Sequence, residues 1–382
     1  MTEFGTYDFH LSSSDEDHAV RLHAESTIVD VIWWGPLAYR SFTPQMNAKL
    51  RAAYERNHDF GSLIEDSLRL PGRLAVAGEL PEYRRVWDAS GVTAGQCEIQ
   101  VGDARLLLEG IAHIDYLVDH LPWLRKALRS ADFRKAKHEW GHALYLQCQP
   151  TPPISRDFGL IDLGQDAGLR VLQLSYNVQD AIACGCAERS GAGLSRLGVD
   201  LIARLNKRGI IVDTAHCNQQ TILDACKVSE APVIVSHTSA AAVHPHDRGI
   251  SDESAEAIAA TGGIIGVVTH PAFLGPGRPT IETMLDHIEH FTSLVGWQHV
   301  AIGSDWPMGS PKWVLEEAKA HGPRNGFRKE HGIDPTQNLL GFDDYRDHPN
   351  ITRGLVSRGY RDEQIKGILG ENFLRVFAAV CD

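Results

Sequence analysis

Two histidines that lie 21 residues apart each end a short apolar segment, and the residues between them have the pattern of a helix. His216 ends the segment 210–216, and His237 ends the segment 232–237. Between them, residues 218–228 begin with polar side chains and continue with apolar ones at helical spacing. The unit is therefore predicted to be strand, helix, strand, with a histidine at the end of each strand.

The same alternation of strand and helix patterns continues along most of the chain. The predicted strands are residues 27–32, 92–101, 143–149, 170–176, 210–216, 233–237, 264–269 and 300–305. The predicted helices are residues 104–128, 194–207, 219–228, 252–260 and 281–295, with a closing amphipathic helix at residues 362–377. Eight strands with helices between them predict an α/β fold of the (β/α)8, or TIM barrel, type.

A carboxylate follows the last predicted strand. Asp305 ends the segment 300–305, as His216 and His237 end theirs. The carboxyl ends of parallel barrel strands lie on one face, where enzymes of this architecture have their active sites. Neutral imidazoles beside a carboxylate suit a metal-assisted hydrolase. An enzyme is therefore the leading hypothesis from the residues alone.

The length of 382 residues, of which 43% are apolar, fits one large domain. Residues 1–26 are predicted to be an N-terminal extension, and residues 27–382 a single barrel domain. Two insertions are predicted: residues 37–88, which are rich in charge and helix-forming side chains, and residues 306–350, whose Pro, Gly, His and Asp content indicates irregular loop.

Composition excludes several classes of partner. The net charge is −12 and no basic cluster occurs, which argues against nucleic acid, because phosphate binding depends on clustered Lys and Arg. No apolar stretch approaches the roughly 20 residues of a membrane span, and the first residues lack the pattern of a signal peptide.

Seven cysteines, an odd number, do not indicate a disulfide framework. We therefore expect a cytoplasmic protein with reduced thiols and no membrane partner.

Six short motifs occur in order along the chain: VDTAH at 212–216, PVIVSHTS at 232–239, HDRGISD at 246–252, GGIIGV at 262–267, GSD at 303–305 and LGENFLR at 369–375. They resemble the membrane (renal) dipeptidase family of the amidohydrolase superfamily, over about residues 28–377. The resemblance implies a (β/α)8 barrel with two zinc ions, and a homodimer. It implies that His216 and His237 are metal ligands. It also implies that Arg248 binds a substrate carboxylate and that Asp305 acts in proton transfer.

The earlier metal ligands of the family are missing. Where the family pattern has Asp-Gly-His-x-Asp, this chain has Ile32 and Trp34 at the two ligand positions, and neither side chain can bind a metal. The bridging Glu aligns with Gln149, or with Cys148 if the alignment shifts by one residue. The chain is therefore expected to bind at most one divalent ion, most simply zinc. Its ligands would be His216 and His237 with Gln149 or Cys148, and Asp305 as a further candidate.

Other strand ends also differ from the family pattern. Tyr176 stands where the family has a substrate-facing His, and His270 stands at an aromatic position after the seventh strand. Both are candidate acid/base or oxyanion-contacting groups, and Tyr176 is also a candidate substrate contact. Trp33 and Trp34 are predicted to wall the substrate pocket.

Structural roles are the alternative for each of these residues. The two histidines could be buried structural side chains, Asp305 could cap the segment that follows it, and Arg248 could form a surface salt bridge. Gln149 and Cys148 could simply pack, and His270 could be a solvated loop residue.

The combined interpretation is a metal-dependent hydrolase that cleaves an amide or peptide-like bond in a small carboxylate-bearing substrate, with one zinc ion per chain. Asp305 would be the base, and Arg248 would hold the carboxylate. Two alternatives remain open. One is a different reaction of the same superfamily, such as decarboxylation or carbon–carbon bond hydrolysis. The other is a catalytically inactive barrel that is used for binding.

Overall fold

The computed structural model describes residues 4–38, 41–57, 60–151, 153–154, 156–321 and 326–382. Its strands are β1 Val29–Asp30, β2 Ala94–Glu98, β3 Leu124–Lys126, β4 His142–Cys148, β5 Leu169–Gln173, β6 Ile211–Asp213, β7 Val233–Ala240, β8 Gly249–Ile250, β9 Ile265–Val267 and β10 Val300–Ile302. Positions 39, 40, 58, 59 and 322–325 of the predicted insertions lie outside the described residues.

Eight of these strands form a nearly closed parallel barrel in the order β1-β2-β4-β5-β6-β7-β9-β10. The backbone N–H of Val31 donates to the carbonyl of Ile302 at 2.9 Å, which joins the last strand to the first. Each of the eight predicted strands overlaps one barrel strand, so the predicted TIM barrel is confirmed. The short strands β3 and β8 pair alongside β4 and β7 and were not predicted.

The helices surround the barrel. They are α1 Ser13–Glu25, α2 Pro44–Asn57, α3 Phe60–Val76, α4 Glu82–Ser90, α5 Ala104–His120, α6 Ser130–Lys135, α7 Gly159–Ala167, α8 Arg196–Arg208, α9 Gln219–Val228, α10 Asp252–Ala260, α11 Pro271–Leu274, α12 Ile281–Val295, α13 Lys312–His321, α14 Pro349–Ser357, α15 Asp362–Lys366 and α16 Asn372–Cys381. Within the described ranges, no helix combines the length and the apolar character that crossing a membrane requires.

Side chains alternate between two cores along the barrel strands, as the period of a strand requires. On β4, Leu144 and Leu146 face the large core between strands and helices, whereas Ala143 and Tyr145 face the smaller core inside the barrel. Aromatic rings of the closing helix, among them Phe377, belong to this inner core and pack near Tyr145. One end of the barrel is thus filled with side chains, and the site must lie at the other.

Two of the predicted elements, helix 104–128 and the loop 306–350, differ from the structure. The predicted helix 104–128 ends at His120, because Pro122 disfavours a helical conformation at Leu121, and β3 follows. The insertion at 306–350 is not wholly irregular, since it contains α13. The insertion at 37–88 is helical, as its composition indicated, and holds α2, α3 and most of α4.

The closing helix is interrupted by a glycine. A π-helical turn, Gly367–Glu371, separates α15 from α16, and Gly370 within it has non-helical dihedral angles. A Cβ at Gly370 would lie 2.2 Å from the carbonyl oxygen of Thr27, so only glycine allows the two backbones to approach this closely.

The predicted N-terminal extension contains α1, which packs against α14 near the end of the chain. Arg353 of α14 donates from Nε to a Glu16 carboxylate oxygen of α1 at 2.7 Å. The division of the chain into an extension and a single domain stays a prediction.

Candidate active site

Each of the eight barrel strands delivers a polar or aromatic side chain to the open end of the barrel. In barrel order these are Trp34, Glu98, Gln149, Tyr176, His216, His237, His270 and Asp305. All except His237 line a cavity of about 450 Å³, and His237 contacts His216 directly. The structure therefore gathers most of the predicted site residues in one pocket.

The two histidines face each other through their Nε2 atoms, which are 2.9 Å apart. Their other ring nitrogens are held in place: Nδ1 of His216 lies 2.6 Å from Oδ1 of Asn177, and Nδ1 of His237 lies 2.8 Å from Oγ of Ser236. With the amide oxygen as acceptor, Nδ1 of His216 carries the proton and its Nε2 presents a lone pair. This orientation by a second residue is typical of metal-binding histidines.

Both imidazoles are neutral. Burial and the guanidinium of Arg248 lower the pKa of His216 and of His237 well below the usual range of histidine. Neutral imidazole is the form that binds a metal ion. His216 also has a left-handed backbone conformation, with φ of 62°, which non-glycine residues adopt rarely and often at functional sites.

Asp305 lies on the other side of His237. Its Oδ2 is 3.8 Å from Nε2 of His237, and its Oδ1 accepts a hydrogen bond of 3.0 Å from the indole N–H of Trp34. Burial raises the pKa of Asp305 to about 6, although Arg248 and the Trp34 hydrogen bond act in the opposite direction. A carboxylate with such a pKa suits a general base near neutral pH.

The structure separates the two candidates on the fourth strand. Cys148 is fully buried and faces the outer core together with Leu146. Gln149 lies one residue further on, lines the cavity, and places its amide nitrogen 3.4 Å from Nε2 of His216. Burial also raises the pKa of the Cys148 thiol, which disfavours a thiolate ligand. The alternation of side chains along β4 turns Cys148 away from the histidines. The structure therefore contradicts the prediction that Cys148 could be a metal ligand.

Arg248 lies behind the histidine pair and not in the cavity wall. The side chain is 3% exposed, donates to the carbonyl of His237 at 3.2 Å, and stands 5.4 Å from the centre of the Phe273 ring. Its Nε has no hydrogen-bond partner among the described residues. Its positive charge nevertheless acts on His216, His237 and Asp305, whose pKa values it lowers.

Tyr176 and His270 both line the cavity. The Tyr176 ring stacks on His216 at 4.2 Å, and burial raises its pKa, so the phenol keeps its proton. His270 stacks on Phe273 at 4.3 Å, and its Nδ1 accepts from the N–H of Ala272 and caps α11. Burial lowers the pKa of His270 to about 3, so this imidazole is neutral as well.

The two tryptophans have different positions. Trp34 lines the cavity, whereas Trp33 is 1% exposed and packs between Trp87, at 5.3 Å, and Tyr345, at 4.7 Å. The structure corrects the prediction for Trp33, which belongs to the core and does not wall the pocket. Both tryptophans lie beyond the end of β1 at Asp30, so the alternation of a strand does not determine which of them faces the pocket.

Sequence reasoning missed two carboxylates of the cavity, Glu98 and Glu65. Glu98 ends β2, but the predicted strand continued to residue 101, so the sequence pattern placed Glu98 inside the strand and not at its end. Glu65 comes from α3, in the first insertion, and nothing in its local pattern indicates that it reaches the pocket. Apolar side chains complete the wall, including Phe273, Trp306 and Phe327.

The described residues offer a pair of imidazoles to a metal ion and no complete set of ligands. Among the described residues, no group of three or more His, Cys, Asp and Glu side chains is arranged to hold a metal. Ile32 is fully buried, and Trp34 directs its N–H at Asp305, so the first strand supplies no ligand. The converging Nε2 atoms of His216 and His237 remain as a metal-binding pair, with the Gln149 amide beside them.

Comparison with known proteins identifies the family of the chain. The sequence profile of the membrane dipeptidase family (peptidase family M19) matches residues 16–320 and 332–382. The chain belongs to this family. The resemblance seen in the motifs is thereby confirmed, and this chain is a member that lacks the first-strand ligands and the bridging Glu.

Relatives at moderate identity include an uncharacterized dipeptidase of Schizosaccharomyces pombe, 31% identical over 218 residues, which are 55% of this chain and 46% of that protein. Dipeptidase tcpJ of Claviceps purpurea is 31% identical over 192 residues, which are 50% of this chain and 39% of that protein. The chain thus matches about half or less of the length of these relatives.

Solved structures share the fold. An amidohydrolase from Pseudomonas aeruginosa is 25% identical with a TM-score of 0.71, over 95% of this chain and 99% of that one. A metallopeptidase from Rhodobacter sphaeroides, liganded with a phosphinate mimic of the dipeptide L-Ala-D-Ala, is 18% identical with a TM-score of 0.64, over 77% and 88% of the two chains.

Proposed function

We propose that this protein hydrolyses an amide bond in a small, carboxylate-bearing, dipeptide-like substrate. The observation that carries the proposal is the neutral His216–His237 pair beside Asp305, in a pocket at the open end of a membrane dipeptidase barrel. A cavity of about 450 Å³ suits a small ligand, and its apolar walls favour a substrate with an aromatic or other apolar group.

His216 and His237 would hold a single divalent ion, with zinc as the first choice and the Gln149 oxygen as a further ligand after rotation of the amide. Such an ion supplies Lewis-acid polarisation of the scissile carbonyl and a more acidic water. Asn177 and Ser236 keep the two imidazoles in the orientation that binding needs.

Asp305 is the proposed base. It takes a proton from the attacking water and passes it to the leaving amine, and its raised pKa makes both transfers accessible near neutral pH. Arg248 is proposed to attract the substrate carboxylate, and Tyr176 and His270, which line the same cavity, are proposed to contact the reacting group. The proposal includes a cytoplasmic homodimer without nucleic-acid or membrane partners, supported by the acidic composition and the family resemblance.

The test is hydrolysis of a dipeptide panel by zinc-loaded protein, followed by amine release. We expect turnover that chelation abolishes, and an Asp305→Asn variant with kcat reduced by about 100-fold or more and little change in KM. Asp200→Asn, an exposed carboxylate on α8, is the matched control and should keep full activity. Loss of zinc-dependent turnover on every dipeptide would contradict the proposal and favour another reaction class.

A further inference from the structure

Three residues of the candidate site have a backbone conformation that non-glycine residues seldom adopt. In the described part of the chain, the non-glycine residues with positive φ are His10, Asn177, His216 and Asp305, and the last three belong to the site. The φ of Asp305 is 57°. Such a conformation persists only where the surrounding structure enforces it, so the turn at Asp305 requires support from its neighbours.

Asp30 supports this turn from beneath the pocket. Its Oδ1 accepts a hydrogen bond of 2.9 Å from the backbone N–H of Ser304, the residue before Asp305. The N–H of Asp305 donates to the carbonyl of Ile32, also at 2.9 Å. Asp30 is the last residue of β1 and is fully buried. The peptide that precedes the proposed base is therefore fixed to the end of the first barrel strand.

The other carboxyl oxygen of Asp30 faces a buried histidine. Nε2 of His348 lies 3.5 Å from Oδ2 of Asp30, and both side chains are fully buried. Neither of these two atoms has another hydrogen-bond partner among the described residues. A buried polar atom without a partner is costly, so each side chain favours a position close to the other. His348 thereby limits where the Asp30 carboxyl group can lie.

The segment that carries His348 also supports Trp34. The hydroxyl of Tyr345, three positions earlier, accepts from the backbone N–H of Trp34 at 3.3 Å, and the N–H of His348 donates to the Tyr345 carbonyl at 3.1 Å. The Trp34 indole in turn donates to Oδ1 of Asp305 at 3.0 Å. The end of the second insertion thus reaches Asp305 by two routes, through the preceding peptide and through the carboxyl group.

A second buried carboxyl group supports the metal-binding half of the site. Oδ1 of Asp213 accepts from the backbone N–H groups of the residues that precede His216 and His237, at 3.0 and 2.9 Å. Asp213 is fully buried as well. The two carboxyl groups therefore serve different halves of the site, Asp213 the histidine pair and Asp30 the turn at Asp305. Substitutions at the two positions should have separable effects.

We propose that Asp30 and His348 are positioning residues that hold Asp305 in the conformation in which it acts as the base. This inference rests on the proposed function, because it concerns the same base. Neither side chain lines the cavity, so loss of the pair should lower kcat and leave KM nearly unchanged. A displacement of a reacting group by about 1 Å can reduce a rate by about 100-fold.

Kinetics of variants that remove or keep each contact test the proposal. Asp30→Ala removes the acceptor of the Ser304 N–H and should lower kcat by about 10–100-fold, with a change in KM of about twofold or less. Asp30→Asn keeps an oxygen at this position and should restore kcat to within about threefold of the wild type. His348→Leu leaves Asp30 without its partner and should lower kcat by about fivefold or more.

His23→Leu is the matched control for His348→Leu. His23 is a second buried histidine whose ring centre lies 6.1 Å from that of His348, but its nitrogens bond to Thr352 and to the Ser90 carbonyl. Its substitution should change kcat by about twofold or less. Thermal unfolding checks the fold of each variant. If Asp30→Ala does not fold, the comparison of His348→Leu with His23→Leu decides.

Zinc affinity separates the two halves of the site without any need for turnover. In a chelator competition assay, Asp30→Ala and His348→Leu should keep the wild-type affinity within about threefold, whereas Asp213→Ala should lose about tenfold or more. A loss in Asp30→Ala as large as that in Asp213→Ala would show that Asp30 supports the whole barrel end, which would overturn the inference.

Crystal structures of Asp30→Ala and His348→Leu provide the second readout that does not depend on catalysis. Asp305 should leave its φ of 57°, and its contact with Trp34 should be lost. An unmoved Asp305, or an equal loss of kcat in His348→Leu and in the His23→Leu control, would overturn this inference and leave the proposed hydrolysis intact. A displaced Asp305 in a protein whose wild type has no turnover would support the positioning role and contradict the proposed hydrolysis.

Discussion

Replacement of Trp34 by phenylalanine should move the pH dependence of the reaction. The indole N–H donates to Oδ1 of Asp305 at 3.0 Å and stabilises the ionised carboxylate. A hydrogen bond to a charged group is worth about 1.5–3 kcal/mol, and about 1.4 kcal/mol corresponds to one pKa unit. We use the low end of this energy range, because water in the cavity can replace part of the hydrogen bond. The pKa of Asp305 should therefore rise from about 6 to about 7.

The assay is the pH profile of kcat/KM, whose acid limb reports the pKa of the base in the free enzyme. At pH 6 the ionised fraction of Asp305 should fall from about one half to about one tenth in Trp34→Phe, so kcat/KM should drop about fivefold relative to its own alkaline plateau. Trp306→Phe is the matched control, since that indole N–H donates to the carbonyl of Gln337 and not to Asp305. An acid limb that stays in place in Trp34→Phe, or moves to lower pH, would refute the assignment of Asp305 as the base.

Three further predictions concern stability and metal binding. Folding raises the pKa of Asp305 from 3.8 to about 6, because the folded state binds the proton more tightly than the unfolded state. The free energy of unfolding of the metal-free protein should therefore fall by about 3 kcal/mol as the pH rises through this interval. Asp305→Asn should unfold at a higher urea concentration than the wild type at pH 8 but not at pH 4. Asn177→Ala removes the acceptor of His216 Nδ1 and should weaken zinc affinity by about 10–100-fold in a chelator competition assay, whereas an unchanged affinity would show that Asn177 does not position the ring. Gly95→Ala would place a Cβ 2.5 Å from Cδ1 of the buried Trp33 ring. The substitution should lower the free energy of unfolding by about 1–3 kcal/mol, measured by urea denaturation. An unchanged free energy of unfolding would show that the core around Trp33 can adjust.

Much of this architecture could be predicted because the barrel repeats one local pattern. Apolar strand segments occur eight times, several of them ending in a polar residue, and a parallel barrel brings all eight ends together. His216, His237 and Asp305 were found by this logic, whereas Glu98 was missed because the predicted strand extended past it to residue 101. The strand pattern does not continue past the last hydrogen-bonded residue, so it could not decide which of Trp33 and Trp34 faces the pocket.

Other parts of the site depend on contacts between distant segments. The bond from His216 to Asn177 joins residues that follow different strands, 39 positions apart. Glu65 reaches the cavity because α3 of the first insertion folds over the barrel mouth, and an amphipathic helix pattern does not say which part of the barrel it covers. The turn of Arg248 towards the carbonyl of His237 is likewise a tertiary effect.

The most direct test of the account is the metal content of the purified, zinc-equilibrated protein by elemental mass spectrometry, measured beside His216→Ala and His237→Ala. The account predicts about one zinc ion per chain in the wild type and its loss in both variants, because the two Nε2 atoms are the core of the binding pair. Two ions per chain would contradict the conclusion that the first-strand ligands are gone, and zero would contradict the metal-dependent hydrolase itself.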